Sequence, residues 1–342
     1  MDFILDIALE KLPEPIRYQD QIMLIGSCFT EHIGNALGEL KFPVLQNPNG
    51  ILFGPDSVCR SLDWYMDNGE LTTADLFQLN EVWHSWMHHS RFSHTNPEQA
   101  LAGMNQSRQT AHDFLKQAGW LIITLGSSYT YRLTGAANRA SSSLHAAVAN
   151  CHRAPSAWFD KEMLEIQEIS RLLTGTITRL RQFNPSLKIV FTISPVRHIR
   201  DGVVENNRSK ARLIESVHQL VSAHDFIFYF PAYELVIDVL RDYRFYDIDL
   251  VHPNYAATEF VLEKFGLNCI EEETRQLMQE VKKIMIARRH KAFQPDTNAH
   301  RKFLADHAEK VKVLMEKYPF LDLLEEREYF SRESGVGSKY TF

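Results

Sequence analysis

Two short segments, far apart in the chain, carry residue types that can act as a nucleophile and its base. Asp249 precedes His252 by three positions, so on a turn its carboxylate can hold one imidazole nitrogen and leave the other free to accept a proton. Pro253 disfavours helical backbone at His252, which predicts that the pair lies in a loop or at a helix start. Ser27 and Cys28 are the candidate nucleophiles. Together the two segments predict nucleophilic catalysis if folding brings them to one place.

Ser27 and Cys28 lie where the sequence predicts a junction between a strand and a helix. The apolar run 21–25 ends at Gly26, and apolar residues at helical spacing follow in residues 30–40. A nucleophile at such a junction is exposed at the edge of a sheet, and the helix N-terminus stabilises its anion. A cysteine beside an imidazolium there is expected to have a lowered pKa. Cys28 would then need less help from a base than Ser27.

The elements that must position these residues are short, nearly continuous apolar runs that alternate with helical patterns. Runs of this kind are typical of strands buried on both faces of a parallel sheet. They lie at residues 21–25, 42–45, 120–125, 187–193 and 226–230. The alternation predicts an α/β fold with three α/β/α layers around a mainly parallel, five-stranded sheet.

In such a sheet, ligands bind beyond the carboxyl ends of the strands, so the residues that follow each run are expected to converge. These residues are Ser27, Cys28, Asn47, Gly50, Gly126, Ser128, Arg197 and His198. A guanidinium at Arg197 could hold a carboxylate or phosphate of a substrate. It could equally form a structural ion pair with an acid near Asp249.

His84 and His88 are four positions apart, which on one face of a helix would present two imidazoles to zinc. No third ligand follows at a recognised spacing, and Trp83, Trp86 and Phe92 favour aromatic packing instead. We therefore predict neither a metal site nor a cofactor.

Two regions fall outside the alternation. Residues 55–118 have helical patterning with an aromatic, histidine-rich centre, and the chain becomes helical again from about residue 258 to the end. We predict one domain over residues 1–265 with a helical insertion at about 55–118, followed by a helical C-terminal extension over residues 266–342.

Composition narrows the function classes. The net charge of −6 argues against a nucleic-acid surface, and no apolar run reaches the eighteen or so residues of a membrane span. The four cysteines form no C-x-x-C pair, which suits a reducing compartment, and the acidic N-terminus lacks the basic start of a signal peptide. We predict a cytoplasmic protein that binds neither nucleic acid nor membrane. Its oligomeric state is left open.

The segment Gly26–Thr30 resembles the motif that gives the GSCFA family its name, and that family is similar to the SGNH, or GDSL-like, hydrolases. The resemblance covers about residues 20 to 265. Further stretches that carry it are Asn47–Leu52, His89–Ser93, Asn150–His152, Ser194–His198 and Asp249–Asn254. It implies a flavodoxin-like sheet with a nucleophile after the first strand and an Asp-x-x-His pair near the end. Aligning Gly26 and Thr30 with the ends of G-D-S-L-T puts Cys28 on the usual serine, with Ser27 as the second choice after a one-residue shift.

The resemblance also implies the donors that stabilise an oxyanion. Gly50, with Asn47 nearby, matches the glycine that supplies an amide after the second strand. Gly126 and Ser128 stand where the hydrolases have Gly-x-Asn, so the usual asparagine is missing. Losing one such donor typically lowers the rate about a hundred- to a thousandfold. Either the Ser128 hydroxyl or the amide of Asn47 or Asn150 replaces it, or the protein does not hydrolyse ordinary esters.

Two functions therefore remain. The first is an SGNH-like hydrolase or acyltransferase that acts on an ester, a thioester or an acylated carbohydrate, with Cys28 or Ser27 as nucleophile. The second is a catalytically silent binding module for a small anionic or sugar-like ligand, held by Arg197, Asn150 and His152.

Overall fold

The computed structural model describes residues 5, 7–137 and 147–333. Its strands are β1 (Ile22–Gly26), β2 (Val44–Gln46), β3 (Phe77–Leu79), β4 (Val82–His84), β5 (Trp120–Leu125), β6 (Tyr129–Leu133), β7 (Ala147–Val148), β8 (Phe159–Met163), β9 (Lys188–Ile193) and β10 (Ile227–Tyr229). Its helices are α1 (Cys28–Glu39), α2 (Pro55–Asp67), α3 (Pro97–Gln117), α4 (Ile166–Phe183), α5 (Val203–Ala223), α6 (Ala232–Glu234), α7 (Tyr255–Cys269), α8 (Glu272–Arg289), α9 (Asn298–Lys317) and α10 (Leu324–Glu333).

The central sheet contains the five strands predicted from the apolar runs, and all of its pairings are parallel. The strands lie in the order β10-β9-β5-β1-β2. Counted along the chain within this sheet, the order is 2-1-3-4-5, so the winding direction reverses between β1 and β5. Ligand sites of open α/β sheets lie at the carboxyl ends of strands at such a reversal. Ser27 and Gly126 directly follow these two strands.

Alternate residues of β1 face opposite layers of the molecule. Ile22 and Leu24 belong to one hydrophobic core, which α1 and α7 cover, whereas Met23 and Ile25 belong to a second core beneath α2–α5. Each large aliphatic side chain buried in these cores contributes about 1.5–3 kcal/mol. The predicted three-layer α/β/α fold is confirmed.

The C-terminal helices α8–α10 complete the first core rather than forming a core of their own. Val311 and Phe330 pack in the same cluster as Leu24. Glu326 of α10 is fully buried and pairs with Lys41, at 3.0 Å, and with Arg288. A buried carboxylate that loses its partners is strongly destabilising, so these contacts fix α10 against the end of α1.

The structure differs from the sequence prediction in the loops beside the sheet. The insertion contains the antiparallel hairpin β3–β4 between α2 and α3, so His84 ends a strand and His88 lies in a turn, not on one helix face. A second antiparallel sheet, in the order β7-β6-β8, follows β5 and was not predicted. Strands β6 and β8 are partly exposed and carry polar residues, so they lack the apolar runs that marked the buried strands. Within the described ranges, none of the helices could cross a lipid bilayer.

Candidate active site

The turn after β1 brings the candidate nucleophiles to the edge of the sheet. Gly26 has φ +141°, and a Cβ there would lie 2.1 Å from the carbonyl oxygen of Thr124 in β5. Only glycine permits this close approach. The Ser27 N–H donates to the same carbonyl at 3.1 Å, which leaves Ser27 at the N-cap of α1 and Cys28 as its first helical residue.

Ser27 and Cys28 differ in accessibility. The Ser27 side chain is 1% exposed, and its hydroxyl has no hydrogen-bond partner among the described residues. Cys28 is half-buried. Burial raises the pKa of its thiol, although the backbone amides of Phe29 and Cys28 and the charge of Lys210 oppose the shift. The expected lowering of the Cys28 pKa is therefore wrong, because desolvation outweighs the helix N-terminus.

The turn after β2 supplies a second wall through Asn47. Its Oδ1 accepts the Gly26 N–H at 2.9 Å, while its Nδ2 is buried without a partner among the described residues. The Gly50 N–H donates to the Asn47 carbonyl at 2.7 Å, so the amide predicted as an oxyanion donor is engaged within the turn. Of these two N–H donors, Nδ2 of Asn47 is the one left without a partner within the described residues.

The segment after β5 places Gly126 between two site residues. A Cβ at Gly126 would lie 3.3 Å from the Ser27 Cβ and 3.4 Å from Nε2 of His198, so these three residues form one corner. Ser128 does not join it. Its N–H and its hydroxyl both donate to the Ser209 hydroxyl, at 2.8 and 3.0 Å, in the interior. Ser128 is therefore not the replacement for the missing asparagine.

The Asp249–His252 contact predicted from the spacing is present. Nδ1 of His252 lies 2.6 Å from Oδ2 of Asp249, while Oδ1 accepts the backbone N–H groups of Val251 and His252 at 2.9 and 3.0 Å. These bonds, the backbone amide of His252 first, lower the pKa of Asp249 to about 2. As Pro253 indicated, the pair lies in a loop, and Asn254 then caps α7. Asp249 leaves Nε2 of His252 as the free nitrogen.

The Asp249–His252 loop is docked on the segment that follows β9. The Arg197 N–H donates to the carbonyl of Val251 at 3.3 Å. Burial first, and then the charge of Lys210 with a smaller effect from His252, lowers the pKa of the neighbouring His198 to about 4. His198 is therefore neutral near pH 7. Within the described ranges, neither Ser27 nor Cys28 forms a side-chain hydrogen bond with His252 or His198, so the candidate nucleophiles are not hydrogen-bonded to either imidazole.

Lys210 of α5 is the site residue that sequence reasoning missed. It is 1% exposed, and its ammonium donates to the carbonyl oxygens of Gly126 and Ser194 at 2.6 and 2.7 Å. Burial lowers its pKa to about 7, and the charge of Cys28 opposes this shift. The sequence does indicate this burial, because Lys210 has the helical spacing of the buried Leu213 and Val217, which follow it by three and seven positions on the apolar stripe of α5. A lysine there has to be buried.

Arg197 packs against two tyrosines of the segment that precedes the Asp249–His252 loop. Arg197 forms no ion pair with a described residue, and its guanidinium lies over the rings of Tyr246 and Tyr243, 4.4 and 5.4 Å from their centroids. The structural ion pair with an acid near Asp249 is thus not formed.

Asn150 and His152 pack against the histidine-rich segment of the insertion. Nε2 of His152 lies 2.8 Å from the Ser85 carbonyl, and the Asn150 N–H donates to the Trp86 carbonyl at 3.1 Å. Burial lowers the pKa of His152 to about 4. This segment contacts the Asn47–Gly50 turn, where the His89 N–H donates to the Asn49 carbonyl at 2.8 Å. Across the described residues, no group of three or more His, Cys, Asp or Glu side chains is arranged to hold a metal ion.

Comparison with known proteins identifies two segments of the chain. The GSCFA family model matches residues 21–265, and the model of the GSCFA domain protein, C-terminal domain, matches residues 281–334. The first match contains the turn after β1, Lys210 and the Asp249–His252 loop, and the second covers most of α8–α10. No curated protein matches the chain.

Proposed function

The chain belongs to the GSCFA family, and on this basis we propose that it is a hydrolase or acyltransferase acting on an ester, a thioester or an acylated carbohydrate. The observation that carries the proposal is the Asp249–His252 pair with its 2.6 Å contact. Its loop is hydrogen-bonded to the segment after β9, at the carboxyl edge of the parallel sheet where the turn with Ser27 and Cys28 follows β1. An imidazole oriented by a carboxylate, beside a hydroxyl or thiol, is the arrangement that activates a nucleophile.

In the proposed reaction, the Cys28 thiol loses its proton to Nε2 of His252, and Sγ forms a bond to the acyl carbon. The alcohol or thiol of the substrate then leaves with the proton from His252. Water, or an acceptor hydroxyl in the case of transfer, cleaves the thioester and restores the thiol. Asp249 holds the imidazole in the tautomer that this exchange requires.

The oxyanion is stabilised by the backbone N–H of Cys28 at the start of α1 and by Nδ2 of Asn47. The first N–H groups of a helix have no partner within the helix, and Nδ2 of Asn47 is a buried donor without a partner in the described structure. Ser27 remains the second choice of nucleophile, because it lies at the corner with Gly126 and His198.

Exposed apolar residues flank both histidines of the site and support an acyl substrate. Ile199, Val203 and Val204 follow His198, and Ile248 and Leu250 lie beside Asp249, all with at least half of their surface exposed. Burial of such side chains against an acyl group is favourable by about 25 cal/mol per Å² of apolar surface.

A second candidate function is a binding module without catalysis. The raised pKa of Cys28 favours it, since an uncharged thiol is a weak nucleophile. The engagement of Ser128 with Ser209 also favours it, because that hydroxyl cannot stand in for the missing asparagine.

The two functions are separated by turnover of a short-chain aryl ester and thioester, with the parent compared with Cys28→Ser, Ser27→Ala and His252→Ala. We expect loss of turnover in His252→Ala and in one of the two nucleophile variants, and parent activity in His32→Ala, which changes an exposed histidine of α1. Iodoacetamide labelling of the folded chain adds a measure independent of substrate, with Cys151→Ser as the control for the other half-buried thiol. No turnover above that of buffer in the parent, with Cys28 unlabelled until unfolding, would identify the binding module. Equal turnover in the parent and all variants would instead remove Cys28, Ser27 and His252 from the mechanism.

A further inference from the structure

A cavity of about 320 Å³ adjoins the Asp249–His252 loop. Its walls are Arg197, Ile237, Asp238, Arg241, Tyr243 and Tyr246. We propose that this cavity binds a small hydroxylated anion, a sugar acid or a sugar phosphate, as the polar part of the acylated substrate. This inference rests on the proposed function and names the substrate class of that site.

The two guanidiniums of the cavity have no hydrogen-bonding or ion-pair partner among the described side chains. Among the described residues, neither Arg197 nor Arg241 takes part in a side-chain hydrogen bond or an ion pair, whereas the nearby Arg244 pairs with Asp242 at 3.0 Å. A guanidinium presents a planar fork of donors that matches a carboxylate or a phosphate. Two such groups facing one cavity are therefore suited to a single anion.

Tyr246 provides a third donor in the same cavity. It is 6% exposed, and its hydroxyl is buried without a hydrogen-bond partner among the described residues. Burial raises the pKa of this phenol, so the group stays protonated and donates. Leaving a buried hydroxyl unpaired is destabilising, and a bound oxygen that accepts its proton would remove that cost.

Asp238 restricts the ligand to an anion that also carries hydroxyl groups. With two guanidiniums and one carboxylate, the cavity has a formal charge of +1. Hydroxyl groups can donate to the Asp238 carboxylate, whereas a second carboxylate of a ligand would be repelled by it. The ring of Tyr243 and the side chain of Ile237 supply apolar surface of the kind on which a sugar ring packs.

The backbone ties the cavity to the proposed catalytic loop. Arg241 ends the π-helical turn Leu235–Leu240 with φ 50°, and such turns are frequent at functional sites. Tyr246 forms a bridge with Pro253, and the Arg197 N–H donates to the Val251 carbonyl. A group held in the cavity is thereby positioned beside His252.

Calorimetry on the full chain carrying Cys28→Ser tests the proposal, with gluconate and glycerol phosphate as the hydroxylated anions and acetate as the simple one. We expect saturable binding of one hydroxylated anion, weakened at least tenfold by Arg241→Gln and about fivefold by Tyr246→Phe. Arg244→Gln is the matched control and should stay within twofold of its parent. Asp238→Asn should remove the preference for the hydroxylated anion over acetate.

The calorimetric results either support or overturn anion binding in this cavity. No saturable binding of either hydroxylated anion, or equal losses in Arg241→Gln and Arg244→Gln, overturns the proposal. Gluconate binding without glycerol phosphate binding assigns a sugar acid, and the reverse assigns a sugar phosphate. Since Cys28→Ser removes the proposed nucleophile, binding here combined with an inactive parent would reject the reaction alone. An active parent without anion binding would reject this cavity alone.

Discussion

Lys210 donates a hydrogen bond of 2.6 Å to the carbonyl oxygen of Gly126, and the same ammonium donates to Ser194 at 2.7 Å. One buried cation thus joins the ends of β5 and β9, where the site residues begin. No acid of the described structure pairs with it. The charge of Lys210 acts on both Cys28 and His198, favouring the thiolate at the first and the neutral imidazole at the second.

Replacing Lys210 with methionine should change how stability depends on pH. Burial lowers the Lys210 pKa from 10.5 to about 7, so the unfolded chain holds this proton more tightly than the folded chain. The buried charge of Lys210 therefore lowers the free energy of unfolding by its full amount below about pH 7, and this loss of stability disappears as the pH rises toward 10.5. Relative to Lys210→Met, the parent should therefore gain up to about 1.4 kcal/mol per pH unit between pH 7 and 9.

Urea unfolding at pH 7, 8 and 9 measures this difference. Lys161→Met is the control, since Lys161 is paired with Asp201 at the surface and its pKa is raised rather than lowered. Parallel stability curves for the parent and Lys210→Met would show that the ammonium is not buried as a charge.

Asp249→Asn should impair the orientation of the His252 imidazole without affecting substrate binding. Asparagine can keep the backbone hydrogen bonds through Oδ1, but its NH₂ group cannot accept the Nδ1 proton of His252, so the imidazole loses its tautomer. We expect kcat on the short-chain ester to fall at least about a hundredfold, with KM nearly unchanged. Asp247→Asn in the same loop should retain parent kcat, because within the described residues the Asp247 side chain accepts a hydrogen bond from the backbone N–H of Ile248 and from no other group. Equal kcat values would remove Asp249 from the mechanism.

The sequence predicts the inner strands of the central sheet well because they are buried on both faces. The runs at β1, β5 and β9 are apolar at nearly every position, which no surface strand requires. β6 and β8 escaped prediction because their partly exposed faces accept Tyr, Lys, Asp and Glu, a pattern that long loops share.

The site was predictable only where the contact is local in sequence. Asp249 and His252 are three positions apart, so a turn alone can join them. The Ser128 hydroxyl is engaged by Ser209 on α5, a partner that no local pattern indicates. The Gly50 N–H is engaged by the Asn47 carbonyl, and although this contact is local, the motif alone does not show how the turn closes. A motif gives residue identities at the sheet edge, but it does not show which donors are already engaged.

Gly26→Ala should disrupt the turn that presents the nucleophiles. The new Cβ would meet the Thr124 carbonyl at 2.1 Å, and φ +141° is strained for any residue with a Cβ. Overpacking and backbone strain each destabilise by about 1–3 kcal/mol, so a loss of about 3 kcal/mol or more in the free energy of unfolding is expected. Urea unfolding measures the loss.

Gly175→Ala is the matched control. A Cβ at Gly175 in α4 would have no atom within 4 Å, so alanine there should stabilise by about 0.5–1 kcal/mol. If the two variants unfold at the same urea concentration, the close approach of β1 to β5 does not limit position 26.

Asn47→Asp should separate the two functions of the Asn47 amide. The variant keeps an oxygen to accept the Gly26 N–H and a residue type that tolerates φ 42°, but it lacks Nδ2. If Nδ2 stabilises the oxyanion, kcat should fall about a hundred- to a thousandfold while KM changes little. Asn49→Asp is the companion variant, since Nδ2 of Asn49 already donates to Ser61 at 3.1 Å and is not available to a substrate. Steady-state kinetics of both variants measure kcat, and circular dichroism verifies that both are folded. Equal kcat values would show that Nδ2 of Asn47 is not the oxyanion donor.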